Sequence, residues 1–132
     1  MRPADPVLVA AAVIIRGPSV LLSQRGEGTH LAGAWEFPGG KIEPGESPVE
    51  AVVREVREEL GIGLERIEPF RFAYHEYPEA RVLLLTYLCR PLGDPAGAST
   101  RWKWFPFEEL DPASMPEADR PIVESLKTGR YR

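Results

Sequence analysis

Cysteine is nearly absent: Cys89 stands alone, so no internal disulfide can staple the fold, and the chain suits a reducing cytoplasm. Set in an apolar run, Cys89 reads as buried filler. Cationic excess is missing too. A formal net charge of −4 and a pI near 5.3 argue against a nucleic-acid polymer as partner. Long hydrophobic runs are lacking. The stretch from Val7 to Ile15 stops at Arg16-Gly17, short of the ~20 residues that cross a bilayer, so it reads as a buried first strand and no membrane is expected. Repeats, linkers and low-complexity segments do not occur, and 132 residues make one domain, 1–132, with a single core. Its oligomeric state is left between monomer and homodimer.

The strand signals are Val7 to Arg16 and Val20 to Gln24, joined at Gly17-Pro18, then a loop at 26–33 and a short strand from Trp35 to Phe37 leading into a Pro38-Gly39-Gly40 turn. Segments 66–77 and 81–90 form a hairpin around Pro78-Glu79, and 101–105 is a last strand. Helical signals cover Pro48 to Leu60, a short turn at Phe107–Leu110, and Glu117 to Lys127, with Pro121 near its start. Strands interrupted by two helices predict an α/β sheet with helices on its faces.

The first helix carries the chemistry. Ser47, Pro48 and Glu50 make a capping box with proline at the first helical position, and Gly61 is the stop. At about 100° per residue, Val49, Val53, Val56 and Leu60 share one side, and Glu55, Glu58 and Glu59 fall nearly opposite. Carboxylates so placed repel unless a cation sits among them, which is a reason to look for a metal. Arg54, at i,i+4 from both Glu50 and Glu58, is placed to brace the acids.

The full pattern is Gly40, five residues, Glu46, seven residues, then Arg54-Glu55-Val56-x-Glu58-Glu59-x-Gly61-Ile62. It resembles the signature box of the Nudix hydrolases at every fixed position. The WEFPGG segment before it, and WFPFEEL and PEADRPIVESL after it, resemble the MutT-type branch. The resemblance implies an α/β/α sandwich with a mixed central sheet and two main helices. It implies hydrolysis of a nucleoside triphosphate to a monophosphate and pyrophosphate, with a small nucleotide as substrate. Glu55, Glu58, Glu59 and the Gly39 carbonyl are the implied metal ligands, with Glu46 and Arg54 in support. Oxygen-only ligands select hard ions, so Mg²⁺ is expected, with Mn²⁺ as a substitute. Some MutT-type enzymes carry a further glutamate in the loop before the last strand. Here that place holds Ala98, and the acid nearby is Asp94, so the general base is left among Glu55, Glu58 and Asp94.

Residues outside the box address the substrate. Arg25 resembles a substrate-contacting arginine and otherwise forms a surface ion pair; Arg81 resembles a second. Lys41 is a phosphate contact or a surface charge. Trp35 and Phe37 are candidate walls of a base pocket, one and not both if strand residues alternate. Asp119 occupies the base-reading place of the MutT pattern and otherwise caps the last helix. It suits 8-oxo-dGTP or a CTP-like base and does not decide between them. ADP-ribose or a nucleotide sugar is the alternative substrate class, and a catalytically silent nucleotide sensor the alternative of another kind.

Overall fold

The computed structural model describes residues 5–29 and 31–129; His30, inside the expected 26–33 loop, and the chain ends lie outside them. Strand β1 (Val7–Arg16) is the axis of the sheet. It runs parallel to β6 (Arg81–Leu92), from Val7 opposite Val82 to Ile14 opposite Cys89. Its other edge is shared. The first half pairs with β4 (Gly39–Lys41) and the second with β2 (Ser19–Gln24), both antiparallel. On β2 lie β3 (Trp35–Glu36) and β7 (Trp102–Pro106), and β5 (Gly63–Glu76) forms the far edge against β6. One mixed sheet results.

Two-residue alternation divides the core into two layers. Ala10, Ala12 and Ile14 of β1 meet Ala51, Val52, Val56 and Leu60 of helix α1 (Pro48–Leu60). Ala11 and Val13 meet Ile122, Val123 and Leu126 of helix α2 (Arg120–Lys127), on the opposite face. Both faces of β1 are covered, which is why its sequence is one unbroken apolar run. The α/β/α sandwich with two main helices is as expected.

Helix α1 has the boundaries the sequence predicts. Ser47 Oγ accepts the Glu50 N–H at 3.1 Å and Glu50 Oε1 accepts the Ser47 N–H at 2.8 Å. Gly61, at φ 70°, ends the helix. Its buried side differs from the expected one. Val49 is exposed, and burial centres on Ala51, Val52, Val56 and Leu60. That arc includes the directions of Glu55 and Glu59, so these acids turn partly inward instead of facing away from the core.

Two further expectations change. Gly39-Gly40 is not a turn but β4, pressed against Ala10 and Ala11 of β1. The last helix is split: Glu117–Asp119 form a 3₁₀ turn, and α2 starts at Arg120 with Pro121 in its first turn, where a missing N–H costs nothing. The 93–100 loop docks on the end of α1, where the Ser99 N–H donates to the Glu59 carbonyl at 3.0 Å. Among the described residues no helix is long and apolar enough to cross a membrane.

Candidate active site

Arg54 gathers the acids of the box. Its Nε donates to Glu46 Oε2 at 2.6 Å, and its Nη1 donates to Glu55 Oε1 at 2.9 Å and Glu58 Oε2 at 3.3 Å. Nη2 reaches Glu46 Oε1 at 2.9 Å and the Lys41 carbonyl at 3.2 Å. Glu46 also accepts the Glu43 N–H, fixing the loop ahead of α1. These bonds hold the Glu46 carboxyl down to about 2. Glu50 is not one of Arg54's partners; its carboxylate closes the capping box.

Glu55 lies over β4. A Cβ placed on Gly40 would stand 2.5 Å from its carboxylate carbon. Glu59 reaches deeper and accepts the Gly39 N–H, but its Oε2 is buried without any hydrogen-bond partner. Burial, then the charges of Glu55, Glu36 and Glu58, push its carboxyl up to about 8. Glu58 is the exposed member. The structure thus brings together Gly39, Glu46, Arg54, Glu55, Glu58 and Glu59. Among the described residues no three acids close into a ready-made metal cage. The donors are nonetheless all oxygen, and one is orphaned in the interior among like charges, which fits a hard divalent cation. Asp94 is committed elsewhere, accepting from Arg16 Nη1 at 2.7 Å on the surface, and Ala98 packs into the α1-side core.

Beside the ridge opens a cavity of about 400 Å³. Val9, Leu84 and Tyr77 are among its apolar walls, and Arg25, Glu36, Lys41 and Asp119 supply polar groups. Asp119 is 6% exposed. It does not cap α2: its backbone is helical and its side chain makes no capping bond. The Phe37 N–H donates to it, while Oδ2 has no partner. Burial, then the charge of Glu36, push its carboxyl up to about 8, which favours the protonated form with one O–H donor and one acceptor oxygen. Arg25 does form an ion pair, with Glu36 at 2.7 Å, but in the cavity wall rather than on open surface.

Other candidates lie apart. Trp35 and Phe37, two residues apart, share a face, and both pack in the α2-side core; Trp35 meets Phe105 edge-on at 5.2 Å. Neither is among the residues lining the cavity, and Phe37 contributes only its N–H to the site. Arg81 opens β6 opposite Glu76 and does not itself line the cavity, although Ala80 and Val82 on either side of it do. Sequence reasoning passed over Glu36, which pairs with Arg25 and acts on both Glu59 and Asp119. An acid between two aromatic residues in a strand was the available signal. Tyr77 and His75 were passed over as well, and no local pattern marks them.

The NUDIX domain family model matches residues 6–126. The chain is 36% identical to the 8-oxo-dGTP diphosphatase of Escherichia coli over 91% of this chain and 96% of that one. It is 57% identical to the CTP pyrophosphohydrolase of Escherichia coli, over 41% of this chain and 40% of that one. The crystal structure of a MutT NUDIX hydrolase from Burkholderia pseudomallei superposes with a TM-score of 0.83 at 30% identity, covering 92% of this chain and 98% of that one.

Proposed function

The chain belongs to the Nudix family and is a Nudix pyrophosphohydrolase, and from that premise we propose that it hydrolyses 8-oxo-dGTP to the nucleoside monophosphate and pyrophosphate. The observation that carries this reading is Asp119, a neutral carboxyl with an unpartnered oxygen in the cavity beside the acidic ridge. Guanine offers two acceptors, N7 and O6, on that edge. Oxidation at C8 turns N7 into an N–H donor. A protonated Asp119 then donates to O6 and accepts from N7–H, whereas unmodified guanine satisfies only the donor. The alignment to an 8-oxo-dGTP diphosphatase along nearly the whole chain supports the same choice.

Glu55, Glu58, Glu59 and the Gly39 carbonyl would hold Mg²⁺, or Mn²⁺ in its place. A bound divalent ion supplies charge neutralisation on the phosphates and lowers the pKa of attacking water. The protein does the rest. Arg54 fixes the ridge by holding Glu46, Glu55 and Glu58 together. Glu55, partly buried against Gly40, accepts the water proton. Lys41 and Arg25, on the cavity wall, face the substrate's phosphates. Water adds to phosphorus, the phosphoanhydride bond breaks, and pyrophosphate leaves.

A nucleotide panel with Mg²⁺ tests the reading: 8-oxo-dGTP, dGTP, CTP, 5-methyl-dCTP and ADP-ribose, with products identified. The expected result is pyrophosphate release fastest from 8-oxo-dGTP. A profile led by ADP-ribose rejects the triphosphate reading. Cytidine triphosphate is the second reading, favoured by the identity to a CTP pyrophosphohydrolase over 54 residues and by the fit of a neutral carboxyl to cytosine N3 and N4–H₂.

The pH dependence follows from Asp119. Below about 8 it is protonated and donates to O6; above, it ionises, so the oxygen facing O6 loses its proton and repels it while the other still accepts N7–H. KM for 8-oxo-dGTP is therefore expected to rise about tenfold on the alkaline side of 8, the worth of one hydrogen bond. Asp119→Asn, which keeps a donor and an acceptor at all pH values, is expected to flatten that rise. An unchanged alkaline limb in the variant would exclude Asp119 as its source.

A further inference from the structure

Three consecutive residues ahead of α2 are each held by a different side chain or backbone group. Glu117 Oε2 is in polar contact with His75 Nε2, the Ala118 N–H donates to the Tyr77 hydroxyl at 3.0 Å, and Asp119 accepts the Phe37 N–H. His75 and Tyr77 are themselves in contact, ring edge to ring face, with centroids 4.5 Å apart. Tyr77 is anchored in turn by the tight hairpin end, where its N–H donates to the Ala80 carbonyl at 2.9 Å. The Asp119 side chain has no hold on α2, and the 3₁₀ turn that carries it lies between two prolines, Pro116 and Pro121. What sets the direction of the Asp119 carboxyl is therefore this clamp together with the Phe37 N–H.

We propose that Tyr77 and His75, at the end of the β5–β6 hairpin, are positioning residues for base discrimination: they aim Asp119 into the cavity and so set how strongly the enzyme prefers an oxidised guanine base to guanine. The inference rests on the base-reading role of Asp119 given above. A hydrogen bond to the base is made or lost over a few tenths of an ångström. A clamp on the neighbouring residue is enough to tune it. Tyr77 also lines the cavity, so its ring and its hydroxyl have separate duties, and substitution by phenylalanine separates them.

The test is the ratio of kcat/KM for 8-oxo-dGTP over dGTP, measured on the full chain with Mg²⁺. Tyr77→Phe and His75→Ala are each expected to lower the ratio about tenfold, mainly through KM for 8-oxo-dGTP, with kcat within about twofold of the parent. His75→Gln, which still donates to Glu117, is expected to restore most of it. Asp119→Ala serves as the reference for complete loss. If Asp119→Ala collapses the ratio while Tyr77→Phe and His75→Ala leave it unchanged, the clamp is overturned and the base-reading role stands. If Asp119→Ala leaves the ratio unchanged, that role and the clamp fall together. A fall in Tm without a change in ratio counts against the proposal, since it marks the contacts as structural only.

Discussion

Glu59→Gln should abolish turnover and at the same time make the metal-free protein more stable. The first half follows from the site: without its carboxylate charge the ridge loses the inward-facing ligand, and a loss in kcat of about a thousandfold is expected. The second half follows from burial. Glu59 keeps one oxygen without a partner in the interior, and its carboxyl is pushed up to about 8 by desolvation and by the charges of Glu55, Glu36 and Glu58. The folded state therefore binds a proton that the unfolded chain releases near 4.5. Stability falls as pH rises from about 4.5 to about 8 and the deficit is constant above that. A neutral amide does not titrate. In the presence of a chelator, Glu59→Gln should match the parent in Tm near pH 4.5 and exceed it by several degrees at pH 8 and above. Glu55→Gln should lose turnover without that gain, because Glu55 already has Arg54 as a compensating charge. Equal Tm for Glu59→Gln and parent across this range would show that the buried carboxylate carries no such strain. Turnover near the parent's in Glu55→Gln at saturating metal would remove it as the base.

The contrast between these two glutamates was not legible in the sequence, although the helix bearing them was. Capping box, proline and stop glycine are local signals, and each acts within one turn, so the ends of α1 were read to the residue. Which side of α1 is buried depends on how the helix lies on β1. Valine spacing alone favoured Val49 and Val53, and the packing chose Ala51 and Val52 beside Val56 and Leu60. The same limit applies at Asp119. Its sequence neighbourhood suggested either a cap or a base contact, and only the helical backbone at that position, with the carboxyl turned to Phe37, removes the cap. The clamp from Tyr77 spans 41 positions of sequence. Nothing periodic or local announces such a contact, because it arises where the β5–β6 hairpin passes the turn before α2.

Adjacent glycines of β4 should fail in opposite ways when each is replaced by alanine, and the pair makes a strong test of how the box is built. A Cβ on Gly39 would stand 2.6 Å from the Ala11 Cα and closer still to the Ala10 carbonyl oxygen, both backbone atoms of the central strand. Strand β1 cannot yield there, since its other edge is bonded to β6 from Val7 to Ile14. Gly39→Ala is thus expected to cost about 3 kcal/mol, the upper part of the usual range for overpacking, and to lower Tm by about 10 °C. The three atoms nearest a Cβ on Gly40 all belong to the end of the Glu55 side chain, with its oxygens at 2.6 and 2.7 Å. That carboxylate can swing away on three single bonds, so the fold tolerates Gly40→Ala with a Tm within about 2 °C of the parent. The swing takes Glu55 off Arg54 and out of its place over the β4 backbone, where the water proton is to be accepted. Turnover should fall about a hundredfold, in kcat rather than KM, since the base cavity around Asp119 is untouched. Thermal melts and steady-state kinetics on the two variants decide it. A Gly40→Ala protein with normal kcat would mean that the position of Glu55 above β4 is not the one used in the reaction.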